Sequence, residues 1–188
     1  MPLIFDSRSG SPFDVSRRLQ NFLPEGPYRP LRRHRQIAAL PYRRRDDGVF
    51  EVCLVTSRDT GRWVLPKGWP MRGRTNWEAA AREAYEEAGL VGEIEKSPVG
   101  RFPYWKRMTE YFVLIDATVY LMRVERQMKK WPEKSERTRR WMPLSEAAEE
   151  VMEPGLIAIL MQLEESEGRL CRRAAPGAQT GSPASATR

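Results

Sequence analysis

Cysteine and histidine are nearly missing from this chain of 188 residues, which holds two cysteines and one histidine, His34. Cys53 and Cys171 stand far apart, and Cys53 lies in an apolar run. That usage speaks against a disulfide-stapled secreted fold and leads us to expect a reduced, cytoplasmic setting. A zinc centre needs clustered Cys and His side chains, so none is expected. Long apolar runs are missing too: none approaches the ~20 residues that cross a bilayer, and no membrane partner is expected. The first residues, MPLIFDSRSGSPF, lack a basic stretch followed by an apolar one, so no secretory leader is expected. An acidic excess is also absent. The net charge is +7, which suits an anionic partner, either nucleic acid or a polyphosphate.

What remains is the composition of a globular domain, 40% hydrophobic and 30% charged, long enough for one core plus tails. Residues 1–33 are rich in proline (Pro2, Pro12, Pro24, Pro27, Pro30) and read as an extended arm. Its apolar residues, Phe5, Phe13 and Phe22 among them, suggest packing on the domain or on a second subunit, which leaves a homodimer open. Residues 34–168 form the expected domain. Residues 169–188 are the expected C-terminal tail, with so little apolar bulk from Ala174 onward that disorder is predicted.

Within the domain, Ile37–Leu40 and Val49–Thr56 read as strands around the polar turn Arg43–Gly48. Trp63–Leu65 returns to apolar character, and Val91–Ile94, Gly100–Trp105, Tyr111–Met122 and Arg140–Met142 read as further strands. The near-continuous apolarity of Tyr111–Met122 predicts burial on both faces. Gln127–Thr138 is charged, holds Pro132 and reads as a loop. Leu144–Val151 and about 154–166 read as helices, the second opened by Pro154. Strands mixed with helices predict helices on both faces of a mixed sheet.

The most informative stretch is Arg62–Leu90. Thr75 and Glu78 have the spacing of a capping box. Five alanines follow, and Gly89 can turn left-handed to end the helix. A helix over about 76–88 is predicted, with Trp77, Ala80, Ala81, Ala84, Tyr85 and Ala88 on its apolar face. Glu83, Glu86 and Glu87 share a neighbouring strip at i, i+3, i+4, where like charges repel. Such a strip alone reads as a solvated face. The turn Pro66-Lys67-Gly68 before it changes that reading, because a glycine carbonyl and a lysine beside three carboxylates suit a metal–phosphate site.

Gly68-x5-Arg74-x7-Arg82-Glu83-Ala84-Tyr85-Glu86-Glu87-Ala88-Gly89-Leu90 resembles the Nudix box. The pattern differs at one position: the family's first glutamate is Arg74 here. The resemblance implies an α/β/α sandwich with a mixed sheet, in which the box forms a loop–helix–loop. It implies a Mg²⁺ (or Mn²⁺) dependent hydrolase acting on a diphosphate linkage. Glu83 and Glu87 would be metal ligands together with the Gly68 carbonyl. Glu86 would be a further ligand or the acceptor of a proton from the attacking water.

Arg82 and Glu78 would support the site, Glu78 taking the place of the missing box glutamate as partner of Arg82. The stretch EVCLVTSRDTGRWVLPKG and the segment Arg140–Ala147 resemble the diphosphoinositol polyphosphate and diadenosine polyphosphate branch. By that resemblance Arg35, Thr56, Ser57 and Arg58 would lie along a polyphosphate path. The basic residues Lys67, Arg74 and Lys106 are further candidates for phosphate, and Glu133 and Glu136 for an extra carboxylate. Trp69 would either stack on a base or cover the core. The expected partner is a small polyphosphate. Arg32–Arg35 and Arg43–Arg45 keep open an RNA 5′-pyrophosphohydrolase or decapping enzyme, and a non-catalytic Nudix binding domain is the other alternative.

Overall fold

The computed structural model describes residues 34–108 and 111–174, with side chains to residue 168. The expected arm at residues 1–33 lies outside the described residues, as do residues 175–188 of the expected tail. In chain order the elements are β1 (His34–Arg44), β2 (Phe50–Thr56), β3 (Trp63–Val64), β4 (Lys67–Gly68), α1 (Asn76–Ala88), β5 (Leu90–Arg107), β6 (Phe112–Gln127), β7 (Arg139–Pro143), α2 (Leu144–Glu150) and α3 (Pro154–Ala174).

The strands make one mixed sheet. Its path runs β3-β2-β1-β6-β5, with β7 joined to β2 and β4 to β1. Only β1 and β6 pair in parallel, from His34↔Ile115 to Tyr42↔Arg123. The other edge of β1 is shared. Tyr42–Arg44 pair with β2, while Ile37 and Ala38 pair with Gly68 and Lys67. Sharing that edge brings the Lys67-Gly68 turn against the middle of the sheet.

Strand alternation sorts the core into two layers. Ala38, Leu40, Val52, Leu54, Phe102, Ala117 and Val119 face α2 and α3, where Leu144, Leu156 and Leu160 meet them. Ile37, Ala39, Cys53, Val55, Tyr120 and Met122 face α1. Side chains such as Leu54 and Leu160 are fully buried, each worth roughly 1.5–3 kcal/mol. Helices therefore cover both faces, as the sequence predicts. In β6 Ala117 and Val119 are buried on one face and Tyr120 and Met122 on the other, but Phe112 and the preceding Tyr111 are exposed, so burial on both faces is narrower than predicted. Burial pushes the Cys53 thiol up to about 12, so it acts as an inert core side chain. No helix among the described residues is long and apolar enough to cross a membrane.

Several boundaries differ from expectation. Val91–Ile94 and Gly100–Trp105 belong to one strand, β5, whose pairing with β6 is irregular around Ile94, Pro98 and Gly100. Pro98 and Gly100 sit at these irregularities, where the ladder bulges. Lys67-Gly68, read as a turn, also makes a short strand. α3 passes its expected end near residue 166 and enters the expected tail, carried by the helix formers Leu163, Glu164, Glu165 and Glu167 and continuing through Gly168.

Candidate functional site

The site is built on α1. The Thr75 hydroxyl accepts from the Glu78 amide, and Glu78 accepts from the Thr75 amide at 2.8 Å. Gly89 ends the helix in the left-handed region at φ 65°. The buried face is Ala79, Ala80, Ala84 and Ala88, with Trp77 and Tyr85 half-buried beside it. These small side chains let the helix sit close to the sheet, and closeness puts Glu83 against the backbone of Gly68. A methyl group added to Gly68 would lie 2.1 Å from Glu83 Oε1.

Glu87 is buried beside them. Its Oε2 accepts from the Lys67 amide at 3.2 Å, and its Oε1 accepts from Arg137. Arg137 also donates to Glu133 Oε2 at 2.6 Å and to the Thr56 carbonyl at 2.9 Å. Glu86 accepts from Arg82 Nε at 2.5 Å. The β6–β7 loop clamps the end of α1. The Glu133 amide donates to the Glu86 carbonyl at 3.0 Å, and the Met128 amide to the Gly89 carbonyl at 2.8 Å. Arg139 donates to the Ala88 carbonyl at 2.5 Å. Helix-end carbonyls without intrahelical partners are satisfied this way.

The electrostatics follow from burial and crowding. Burial pushes the Glu83 carboxyl up to about 7, and the nearby charges of Glu87, Glu86 and Glu133 add to the effect. Burial also raises Glu87, against the opposing pull of Arg137 and Lys67. Lys67 is lowered by burial, with Glu87 working the other way. Among the described residues no three His, Cys, Asp or Glu side chains are already arranged around one metal position. Arg137 and the Lys67 amide hold Glu87 instead. The donor chemistry still fits a hard divalent ion: carboxylate oxygens only, crowded enough to resist ionisation, beside a bare glycine whose space a side chain would fill.

The family model described as NUDIX domain matches residues 32–163. The chain belongs to the Nudix family. It is 35% identical over 116 residues to Nudix hydrolase 21, chloroplastic, of Arabidopsis thaliana, covering 60% of this chain and 57% of the relative. It is 32% identical over 120 residues to Nudix hydrolase 4 of Arabidopsis thaliana, covering 60% and 56%. The chain thus spans just over half the length of these curated relatives. Among solved structures, a C. elegans Ap4A hydrolase matches with TM-score 0.55 and 18% identity over 72% of this chain and 98% of the other. The NUDIX domain of Shewanella oneidensis NrtR complexed with ADP ribose matches with TM-score 0.52 and 18% identity over 83% and 98%. At these identities the structures show a shared fold.

Set on this Nudix frame, Gly68, Glu83, Glu86 and Glu87 come together as the sequence predicts. Glu133 joins them, and Glu136 stands one step out, bonded to Arg58 at 3.3 Å. Arg58 also faces Glu133 at 3.9 Å. Ser57 bonds Thr60 at 2.6 Å. Lys67 sits 5.8 Å from the Tyr104 ring, and the Tyr104 hydroxyl donates to buried Gln36. Trp69 is 43% exposed between His34 and Lys106, so it forms a rim and not part of the core.

Three expectations are corrected. Arg35 shares its sheet face with Ile37, because alternation gives Gln36 the face that carries Lys67 and Tyr104. It lines a separate depression of about 270 Å³ with Pro70, Asn76 and Asp116. Glu78 does not pair with Arg82: Thr75 claims its carboxylate, and Arg82 turns to Glu86. Arg74 lies in a shallow groove with Glu78, Arg82 and Tyr85, apart from the Gly68–Glu83–Glu87 cluster. Arg137, Gln36 and Tyr104 are functional candidates that the sequence reading gave no role. The one local hint for Arg137 was Glu133 four positions before it.

Proposed function

We propose that this chain is a divalent-metal-dependent hydrolase, using Mg²⁺ or Mn²⁺, that cleaves a diphosphate linkage in a phosphate-rich small molecule. The substrate class is a dinucleoside polyphosphate or a diphosphoinositol polyphosphate. The observation that carries the reading is the gathering of Glu83, Glu86, Glu87 and Glu133 beside bare Gly68, with the cations Lys67 and Arg58 around it.

Glu83, Glu87 and the Gly68 carbonyl would hold the metal. When bound, the ion neutralises phosphate charge and lowers the pKa of water. Glu86 Oε1 is fixed by Arg82, which leaves Oε2 to accept the proton of the attacking water. Lys67 and Arg58 face the phosphates, where guanidinium and ammonium groups bond strongly to anionic oxygens. Cleavage breaks one P–O bond of the anhydride, with water supplying oxygen to one product and a proton to the other.

A second reading, an RNA 5′-pyrophosphohydrolase, has its own support. Trp69, Trp105, Tyr111 and Phe112 are exposed on and near the β5–β6 hairpin with Lys106 and Arg107, and bases stack on such side chains. A relative named RNA pyrophosphohydrolase, from Erythrobacter litoralis, is 35% identical over 72 residues, covering 38% of this chain and 43% of that one. Phosphate release with Mg²⁺ decides among the readings. The panel is diadenosine tetraphosphate, a diphosphoinositol polyphosphate, ATP, ADP-ribose and 5′-triphosphate RNA. Fastest turnover on either of the first two supports the proposal, and fastest turnover on RNA supports the second reading. No turnover on any member, with Glu87→Gln indistinguishable from wild type, makes the domain a binding module.

A further inference from the structure

Arg137 is an enclosed cation, with a side chain 6% exposed, matching the 6% of Glu87. It donates to three oxygens on three segments: Glu87 Oε1 on α1, Glu133 Oε2 in its own loop, and the Thr56 carbonyl at the end of β2. A guanidinium keeps its charge and only donates. A buried ion pair survives only when its lone pairs and protons are met, and here all three donor nitrogens of Arg137 are used.

Both oxygens of Glu87 are also taken, Oε2 by the Lys67 amide at 3.2 Å and Oε1 by Arg137. Oε1 keeps a second lone pair, but a divalent ion on it would stand against the guanidinium charge, so the two cations compete for that oxygen. The local charge count points the same way. Glu86 is paired with Arg82. Glu87 and Glu133 share Arg137, and Arg58 stands 3.9 Å from Glu133. Among the described residues Glu83 has no cation paired with it, so an entering ion meets an unpaired carboxylate beside Gly68.

We propose that Arg137 is the placeholder cation of this site: it holds Glu87 and Glu133 when no metal is bound, and yields Glu87 Oε1 to the metal. The inference rests on the metal-hydrolase reading above. Arg137 stays tethered during the exchange, because its bonds to Glu133 and Thr56 do not involve Glu87. It is a positioning residue that keeps Glu87 pointed at Gly68 until the ion arrives, and it competes with the ion for one oxygen.

Competition makes a prediction that a purely structural ion pair does not. The full chain is compared as wild type, Arg137→Met and Arg137→Lys, by thermal unfolding in EDTA and in saturating Mg²⁺, and by calorimetric titration with Mg²⁺ alone. In EDTA, Arg137→Met should melt several degrees below wild type, because Glu87 is left buried without a cation. Saturating Mg²⁺ should close most of that gap. Mg²⁺ should bind the Met variant on the order of tenfold more tightly than wild type, since close charge pairs couple that strongly. Arg137→Lys keeps the charge but cannot span three oxygens. It should fall between the two in both measurements, and it serves as the test if the Met variant does not fold.

An equal melting deficit with and without Mg²⁺, or Mg²⁺ affinity unchanged or weaker in both variants, overturns the proposal. If wild type itself takes up no Mg²⁺, the metal-hydrolase reading falls and the inference with it. Mg²⁺ uptake by wild type with no change in the variants overturns the inference alone.

Discussion

Glu83→Gln should stabilise the metal-free protein at pH 8 and leave it unchanged near pH 4. The folded carboxyl titrates at about 7, against an ordinary value of 4.5, because it is buried and because Glu87, Glu86 and Glu133 crowd it. The folded value lies above the unfolded one, so the fold favours the protonated acid. Below pH 4.5 both states carry the proton and nothing is lost. Between 4.5 and about 7 the unfolded chain releases its proton first, and stability falls as pH rises. Above about 7 the loss is complete. A displacement of that size corresponds to at most ~3.4 kcal/mol. Water reaches the half-exposed side chain, which lowers the figure to ~1–2 kcal/mol.

Glutamine has the same shape and no charge, so the variant escapes this penalty. For a domain of this size ~1 kcal/mol moves Tm by ~2–4 °C, which gives a rise of roughly 2–8 °C at pH 8. The assay is thermal unfolding followed by circular dichroism from pH 4 to 9 in EDTA. The difference between variant and wild type should grow with pH and level off above pH 7. Added Mg²⁺ should reverse its sign, because the wild type alone then offers the metal a charged Glu83. A difference that does not vary with pH, or a variant less stable than wild type at pH 8 in EDTA, refutes the reasoning.

The remaining expectations concern the frame around these carboxylates. Gly68→Ala puts a methyl group 2.1 Å from Glu83 Oε1. The obstacle is the end of a side chain, so Tm should move little while turnover falls ~100-fold, as misplacement of a reacting group by about 1 Å does. Gly89→Ala meets the left-handed backbone and the Trp131 ring at 2.7 Å together. Urea unfolding should show a loss of ~2–4 kcal/mol. Arg139→Met removes the bond to the Ala88 carbonyl and a guanidinium 4.3 Å from the Trp131 ring, and should lower unfolding free energy by ~1–2 kcal/mol. Thr75→Ala removes the helix cap, and chemical denaturation should show a loss of ~1 kcal/mol.

The parts of the site legible in the sequence are those encoded over short distances. Thr75 and Glu78 are three residues apart, and the helix turn dictates how they meet. Glu83, Glu86 and Glu87 share a strip for the same reason. Arg137 and Glu87 are separated by 50 positions. Nothing in the spacing of QMKKWPEKSERT shows that its loop folds back over the end of α1. Tyr104 and Gln36 meet across separate strands, and only the register of β1, β6 and β5 brings them together. Arg35 and Gln36 are neighbours in the chain, yet one step of strand alternation puts their side chains on opposite faces of the sheet.

The departure at Arg74 shows how the local code and the packing interact. The family pattern has a carboxylate at that position, and its loss appeared to leave Arg82 without a partner. The expected replacement was Glu78, one turn before Arg82. The cap takes Glu78 first, because it bonds both the amide and the hydroxyl of Thr75 at 2.8 Å. Those bonds, with a smaller contribution from Arg74, hold its carboxyl below the usual range. Arg82 then turns the other way along the helix to Glu86, at i+4. The partner of Arg82 therefore lies inside the strip of helix carboxylates itself. Arg82 offsets one charge of that strip, just as Arg137 offsets another. The charge that remains is carried by the residues closest to Gly68, where the metal is proposed to bind.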